Sequence, residues 1–248
     1  MEWKERLKEA LLKSVSKLPQ NGLLLFSGGL DSSLIAFIAS NQGKEISLFS
    51  VGTRSSHDYY WSREAASILN IPLEFVELDE RSVLEGLREV KSVTGETELL
   101  TLLIELPLYL CCKISKSSFI ISGQGADELF MGYKKYEQVD TANQDLEIVF
   151  SRITAIEGII SGTLGKKVLY PYLDNDLVAI ARSIPKELKI YNGERKYILR
   201  QVAQDLGLDD RIVWKPKKAM QYSTGIKKLV DTISRRNGKA GYQLISSM

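Results

Sequence analysis

Gly22-Leu23-Leu24-Leu25-Phe26-Ser27-Gly28-Gly29-Leu30-Asp31-Ser32-Ser33 is a short apolar run, a glycine turn and the opening of a helix. The run suits a strand buried on both faces, and residues 31–40 read as helical. In that context backbone N–H groups can close on an anion. Gly28 and Gly29 permit the close approach. The hydroxyls of Ser27, Ser32 and Ser33 add donors, and the helix N-terminus adds partial positive charge. The loop is not of Walker type, because the Gly-Lys-Ser/Thr ending is missing and Asp31 stands where the lysine would be. A carboxylate beside a polyphosphate calls for a cation between them, with magnesium the expected one. The plainer alternative is an ordinary glycine turn before a helix.

Outward from this stretch the chain alternates. Upstream, Trp3, Leu7, Leu11, Val15 and Leu18 recur every three or four residues, which predicts an amphipathic helix broken by Pro19 and Asn21-Gly22. Downstream, strands are predicted at 45–51, 73–78 and 118–122. Helices are predicted at about 58–69, 82–91 and 98–115, the last with a kink at Pro107. This pattern predicts an α/β fold, a parallel twisted sheet with helices on both faces. In such sheets ligands sit beyond the carboxyl ends of the strands. After about Asp140 the chain reads as helices and loops only, with helices at 145–160, 174–183, 194–206 and 226–235. We therefore expect one domain over 1–248, with an α/β core at 1–135 and a helical C-terminal part at 136–248.

The composition narrows the chemistry. Of 248 residues, 44% are hydrophobic and 26% charged, the mix of a folded globular chain. The two cysteines, Cys111 and Cys112, are adjacent, so a disulfide framework is excluded. His57 is the single histidine, read as an exposed loop residue. A zinc site of Cys and His type lacks ligands, as does any histidine-dependent triad not built on His57. What remains is carboxylates, lysines, hydroxyls, backbone amides and oxygen-bound metal. No apolar run reaches the roughly 18 to 20 residues of a membrane helix. The opening Met-Glu-Trp-Lys-Glu-Arg has no secretory pattern, so a cytoplasmic protein is expected. From Arg211 onward nine basic residues face one acid, Asp231, a segment that could bind phosphates or RNA or simply be solvated.

The first loop resembles the Ser-Gly-Gly-x-Asp-Ser pyrophosphate loop of the N-type ATP pyrophosphatases, of the Rossmann-like adenine nucleotide alpha hydrolase type. Ser122-Gly123-Gln124-Gly125-Ala126-Asp127-Glu128-Leu129-Phe130 is similar to the Ser-Gly-Glu-Gly-Ala-Asp-Glu-Leu-Phe signature of the asparagine synthetase family and the related β-lactam-forming synthetases. Tyr170-Pro171-Tyr172-Leu173-Asp174, Lys196-Tyr197-Ile198-Leu199-Arg200 and Trp214-Lys215-Pro216-Lys217-Lys218 resemble later family segments in the same order.

The resemblance implies a ligase that adenylates a carboxylate with ATP and magnesium, releasing pyrophosphate, for attack by ammonia or an amine. It implies metal binding by Asp31 and Asp127. Both follow strand ends, so they can share one metal face. It implies nucleotide contacts from Leu25, Ser27, Gly28, Gly29, Asp31, Ser32, Ser33, Val51, Gly52, Ser122 and Gly123. Leu25 and Val51 are equally plain core positions. Lys217 would reach the phosphates and the adenylate, with Lys218 as fallback if the register slips by one. Glu128 reads as an acid at a helix N-terminus.

Two departures stand out. These residues include no glutaminase part with a leading cysteine, so a separate glutaminase subunit is expected as one way to supply nitrogen. The family's signature glutamate is Gln124 here, which can position a group but cannot accept its proton. Glu157, spaced like the acid of the β-lactam-forming enzymes' dyad, is the candidate replacement, with a surface glutamate as the plainer reading. Lys217, Gln124 and Glu157 are thus the expected catalytic residues. The alternatives are an RNA-modifying adenylating enzyme and a non-catalytic nucleotide-binding subunit. A homodimer is left open, and no membrane partner is expected.

Overall fold

Strand β1 (Asn21–Leu25) sends successive side chains to opposite faces, as a pleated strand must. Leu23 enters one apolar cluster and Leu24 the other. The same division recurs at Leu48 and Phe49 of β2 (Glu45–Gly52) and at Ile120 and Ile121 of β4 (Phe119–Ile121). A sheet with two apolar faces needs cover on both sides. The computed structural model, which describes residues 2–216, 223–236 and 238, supplies it.

The sheet has five parallel strands in the order β3-β2-β1-β4-β5, with β3 at Leu73–Glu77 and β5 at Lys167–Leu169. Helices α1 (Glu2–Ser16), α2 (Leu30–Asn41) and α3 (His57–Leu69) cover one face. Helices α4 (Glu80–Thr94) and α5 (Leu99–Ile114) cover the other. The amphipathic reading of α1 holds: Leu7, Leu11 and Val15 are buried. The α/β reading of the chain, a parallel sheet with helices on both faces, is what the fold shows.

Past β4 come a single turn, α6 (Ala126–Leu129), then α7 (Ala142–Ile148), a π-helical stretch at Val149–Ile153 and α8 (Thr154–Thr163). Next are α9 (Asn175–Ser183), α10 (Lys186–Lys189), α11 (Tyr197–Asp205) and α12 (Asp210–Val213). The last described helix is α13 (Ile226–Arg236).

Three expectations are corrected. The chain beyond Asp140 is not helices and loops alone, because Lys167–Leu169 adds the fifth strand beside β4. The helix expected at 194–206 begins only at Tyr197. Glu194–Arg195 instead pairs with Ile190–Tyr191 as a two-stranded hairpin, β6 and β7, turned at Asn192-Gly193. His57 is not in a loop but opens α3, half-buried, with its Nδ1 3.2 Å from Asp58. Pro107 lies inside α5, which continues to Ile114. No helix among the described residues is long and apolar enough to cross a membrane.

Candidate active site

In the strand order, β1 has β2 on one side and β4 on the other, so the chain reverses its direction of winding between β1 and β4. A crevice opens at such a switch point, beyond the carboxyl ends of the strands. The loop after β1 carries Asp31 and the loop after β4 carries Asp127. They lie side by side: a Cβ on Gly123 would stand 3.8 Å from the Asp31 Cβ and 3.9 Å from the Ser32 nitrogen.

Trp61 of α3 shapes the first loop. Its Nε1–H donates to the Gly28 carbonyl at 2.7 Å. Gly28 has φ +72°, and a Cβ there would lie 2.8 Å from the indole, so only glycine fits. The Gly29 N–H donates to Ser27 Oγ at 3.3 Å, and the Ser32 hydroxyl donates to the Gly29 carbonyl at 3.4 Å. The Ser33 hydroxyl is buried without a protein partner. Leu25, Val51 and Gly52 end their strands on the same edge, Val51 buried and Leu25 half-buried. In the second loop the Gln124 N–H donates to Ser122 Oγ at 3.3 Å, and Gly125 turns with φ +89° under Leu173.

The two aspartates meet at a residue that the sequence did not single out for the site. Lys196 Nζ lies 2.6 Å from both carboxylate oxygens of Asp31 and 2.7 Å from Asp127 Oδ1. Its side chain is 4% exposed. Burial pulls the ammonium's pKa down, but the charges of Asp127 and then Asp31 outweigh burial and hold it above the ordinary lysine value. Lys196 itself has φ +58°, a left-handed conformation that a lysine adopts at a cost. Gly132 leaves the clamp its room, since a Cβ there would fall 1.9 Å from Asp127 Oδ1 and 2.2 Å from Lys196 Cε. The signal in the sequence was the Lys-Tyr-x-Leu-Arg segment, whose lysine is this residue. Its arginine, Arg200, is buried and holds the Val213 carbonyl, fixing the start of the basic segment.

The donor set suits magnesium: two hard carboxylates and no thiolate or imidazole. Asp31 and Asp127 side chains keep 23% and 18% of their surface exposed while paired with Lys196. Among the described residues no group of three or more acids, histidines or cysteines is arranged to hold a metal alone. That fits an ion whose remaining ligands are phosphate oxygens and water.

A second acidic group lies behind Gln124. The Gln124 Nε2–H donates to Glu157 Oε1 at 3.4 Å. The surface reading of Glu157 is corrected: it is 3% exposed. The π-helical stretch at Val149–Ile153 lies immediately before α8, which carries Glu157, and such segments recur at functional sites. Burial pushes the Glu157 carboxyl up to about 7, against the opposing influence of the nearby Tyr170 and of the Gln124 hydrogen bond. Glu105 of α5 is 1% exposed, and burial, then the Glu157 charge, drive its carboxyl well above the usual range. Glu128 stands in the first turn of α6, as the helix-end reading has it, and is buried there. Burial, followed by the Asp127 charge, raises it to about 6.

The segment 170–173 ties the parts together. Tyr170 interacts with Glu157, the Tyr172 hydroxyl donates to the Asp31 carbonyl at 3.1 Å, and Leu173 packs on Gly125. Cys111 and Cys112 are free and buried in α5, and burial pushes the Cys112 thiol up to about 12. Lys217 and Lys218 lie outside the described residues. Lys215 is described, and its Nζ stands 3.1 Å from the centre of the Trp61 ring.

The family profile described as Asparagine synthase matches residues 2–169 and 160–240. The chain belongs to the asparagine synthase family. A Methanocaldococcus jannaschii protein, provisionally named a glutamine-hydrolyzing asparagine synthetase, is 30% identical over 277 residues, covering 94% of this chain and 51% of that one. The glutamine-hydrolyzing asparagine synthetase of Gallus gallus is 28% identical over 221 residues, covering 82% of this chain and 39% of that one. The chain thus spans about half the length, or less, of these asparagine synthase relatives. Among solved structures, the NMN synthetase of Francisella tularensis aligns with 98% of this chain and 90% of its own, at 14% identity and a TM-score of 0.47.

Proposed function

We propose that this chain is an ATP-dependent ligase that forms an amide through an acyl-adenylate, with AMP and pyrophosphate as by-products. The observation that carries the reading is the convergence of Asp31 and Asp127, from the two loops flanking the switch point, on the single buried cation Lys196. ATP fits with its phosphates against the Ser27–Ser33 loop and its adenosine along the strand ends at Leu25, Val51, Gly52, Ser122 and Gly123. Asp31 and Asp127 would hold magnesium, which neutralises phosphate charge and polarises the α-phosphate. Lys196 keeps the two carboxylates together and offers a positive charge to the leaving pyrophosphate. Lys217 is proposed for the same charge from the basic segment.

A small carboxylic acid attacks the α-phosphate, and ammonia or an amine then displaces AMP. Proton removal from the nitrogen falls to Glu157. Its raised pKa suits a base working near neutrality, with Gln124 orienting it. The reaction fits a cytoplasmic enzyme, its nitrogen supplied as free ammonia or by a separate glutaminase, and a homodimer is compatible with it.

The test is a screen of carboxylic acids with ATP, magnesium and ammonium, reading nucleotide products. AMP and pyrophosphate released only with a particular acid support the proposal. ADP and phosphate, or no stimulation by any acid, overturn it, the latter favouring a nucleotide-binding subunit.

One observation favours RNA as the acceptor instead. Tyr191, Tyr197 and Trp214 form a ring series, with centroids 4.8 and 6.3 Å apart, beside Lys196 and the basic segment. Such a surface can stack bases. Salt-sensitive RNA binding, weakened by Trp214→Ala, is the outcome that reading requires.

A further inference from the structure

Glu105 poses a problem that the adenylation chemistry does not answer. It sits mid-helix in α5, sealed from solvent, and neither carboxyl oxygen has a hydrogen-bond partner. Glu157 Oε2 is buried in the same condition. Helices α5 and α8 pack against each other, and the two carboxyls interact electrostatically. Three buried acceptor oxygens therefore lack donors, in a fold where buried polar atoms are nearly always paired. One proton on the pair supplies one donor and leaves two acceptors wanting. Residues bounding the cluster supply little more: Tyr170 offers one hydroxyl, and the Gln124 amide already points its N–H at Glu157 Oε1.

A small cation rich in N–H donors answers this count. An ammonium ion carries four donors and one positive charge, so with a singly ionised acid pair it makes a neutral, hydrogen-bonded assembly that can stay buried. A metal ion fits less well, since no described group of three acids, histidines or cysteines is arranged for one. A bulky amine is excluded by the burial of the oxygens themselves.

We propose that Glu105 and Glu157, with the Gln124 amide at the mouth, form the subsite for the nitrogen nucleophile, and that the site takes it as an ammonium ion. The proposal rests on the ligase reading for its place in the reaction. Ammonium gives one proton to the Glu157 carboxylate, and the nitrogen lone pair forms a bond to the acyl carbon of the adenylate. The bond from that carbon to the AMP oxygen breaks, and AMP leaves with the electron pair. The second proton shed by the nitrogen passes to the departing phosphate. Glu105 stays protonated, donating to Glu157 and accepting from the ammonium.

The experiment compares two nitrogen sources in wild type and Glu105→Gln: ammonium chloride, and hydroxylamine, which is largely uncharged at neutral pH. Each rate is referred to the same protein's acid-stimulated pyrophosphate exchange, which precedes nitrogen entry. The KM for ammonium is expected to rise at least about tenfold in the variant, the scale of a lost hydrogen bond to a charge, and that for hydroxylamine under about threefold. Equal effects on both, or none on ammonium, overturn the proposal.

A measurement on wild type needs neither the variant's folding nor turnover: the thermal midpoint in ammonium chloride against sodium chloride at matched ionic strength. An ammonium-specific rise supports the site, and identical midpoints overturn it. Absent pyrophosphate exchange in wild type refutes the ligase reading and leaves the midpoint comparison to decide the cation site.

Discussion

Asp31 and Asp127 meet at a lysine, whereas Glu105 and Glu157 interact across the α5–α8 contact with no described cation between them. Both are pairs of acids from distant parts of the chain. In the first, the buried ammonium of Lys196 lies within 2.7 Å of both carboxylates. In the second, burial is nearly complete and shifts both acids toward their protonated forms, Glu105 more than Glu157. The difference teaches what each can do. On the proposed reading, the paired, partly exposed set is the place for a metal and phosphates. An unpaired, sealed set is a place for a proton, or for something that brings protons with it.

The sharpest way to break the contrast is to make the first pair resemble the second. Lys196→Met leaves two facing carboxylates without their cation. Losing one partner of a buried ion pair costs about 3–5 kcal/mol, so urea denaturation at neutral pH is expected to show a loss of that order. On the proposed reading, millimolar magnesium should raise the variant's thermal midpoint more than wild type's. A midpoint equal to wild type's would mean that the clamp contributes nothing.

The second pair is tested with Glu157→Gln. The folded-state value near 7 lies above the ordinary glutamate value. The native state therefore binds more protons than the unfolded state between about pH 4.5 and 7, and wild type loses stability as pH rises through that window. The shift corresponds to about 3 kcal/mol, an upper bound because Glu105 titrates with it. The variant has no such charge to bury, so it should be more stable than wild type at pH 8 and nearly equal to it at pH 4. Parallel stability curves for the two proteins would remove the premise.

Gly132→Ala sharpens the comparison from the backbone side. The new Cβ would intrude on both Asp127 and Lys196, and overpacking of this kind costs about 1–3 kcal/mol. ATP affinity should fall with stability, read by calorimetry in magnesium. The smallest expected effect comes from Trp61→Phe, which deletes the donor to the Gly28 carbonyl and keeps most of the apolar contact. A loss of about 1 kcal/mol is expected, with a weakening of ATP binding of a few-fold. An unchanged ATP affinity would mean that the glycine loop does not need this brace.

The fold was legible in sequence where a local period carried it. The run 22–26 and its alternation with helices gave β1 to β4 because apolar strands and capped helices leave local marks. β5 left almost none: Lys167-Val168-Leu169 is three residues long, and only its pairing to Phe119–Ile121 makes it a strand. Tyr197 begins a helix later than expected because the turn at Asn192-Gly193 folds Glu194 back onto Tyr191. In the site, the glycine loops announced themselves through the residues they require. Lys196 stands in a recognisable motif, but nothing local shows that its charge reaches two loops about 70 and 165 residues away. Glu105 was hidden further, as one acid in an apolar helix whose partner lies on another.

Among the described residues, β5 is the outer neighbour of β4. A chain cut after residue 135 would have a bare β4 edge, and its Asp31 loop would lack Tyr172 and Lys196. If the proposed ATP site is right, a fragment ending at residue 135 lacks the residues that complete it and should not compete with the whole chain for ATP.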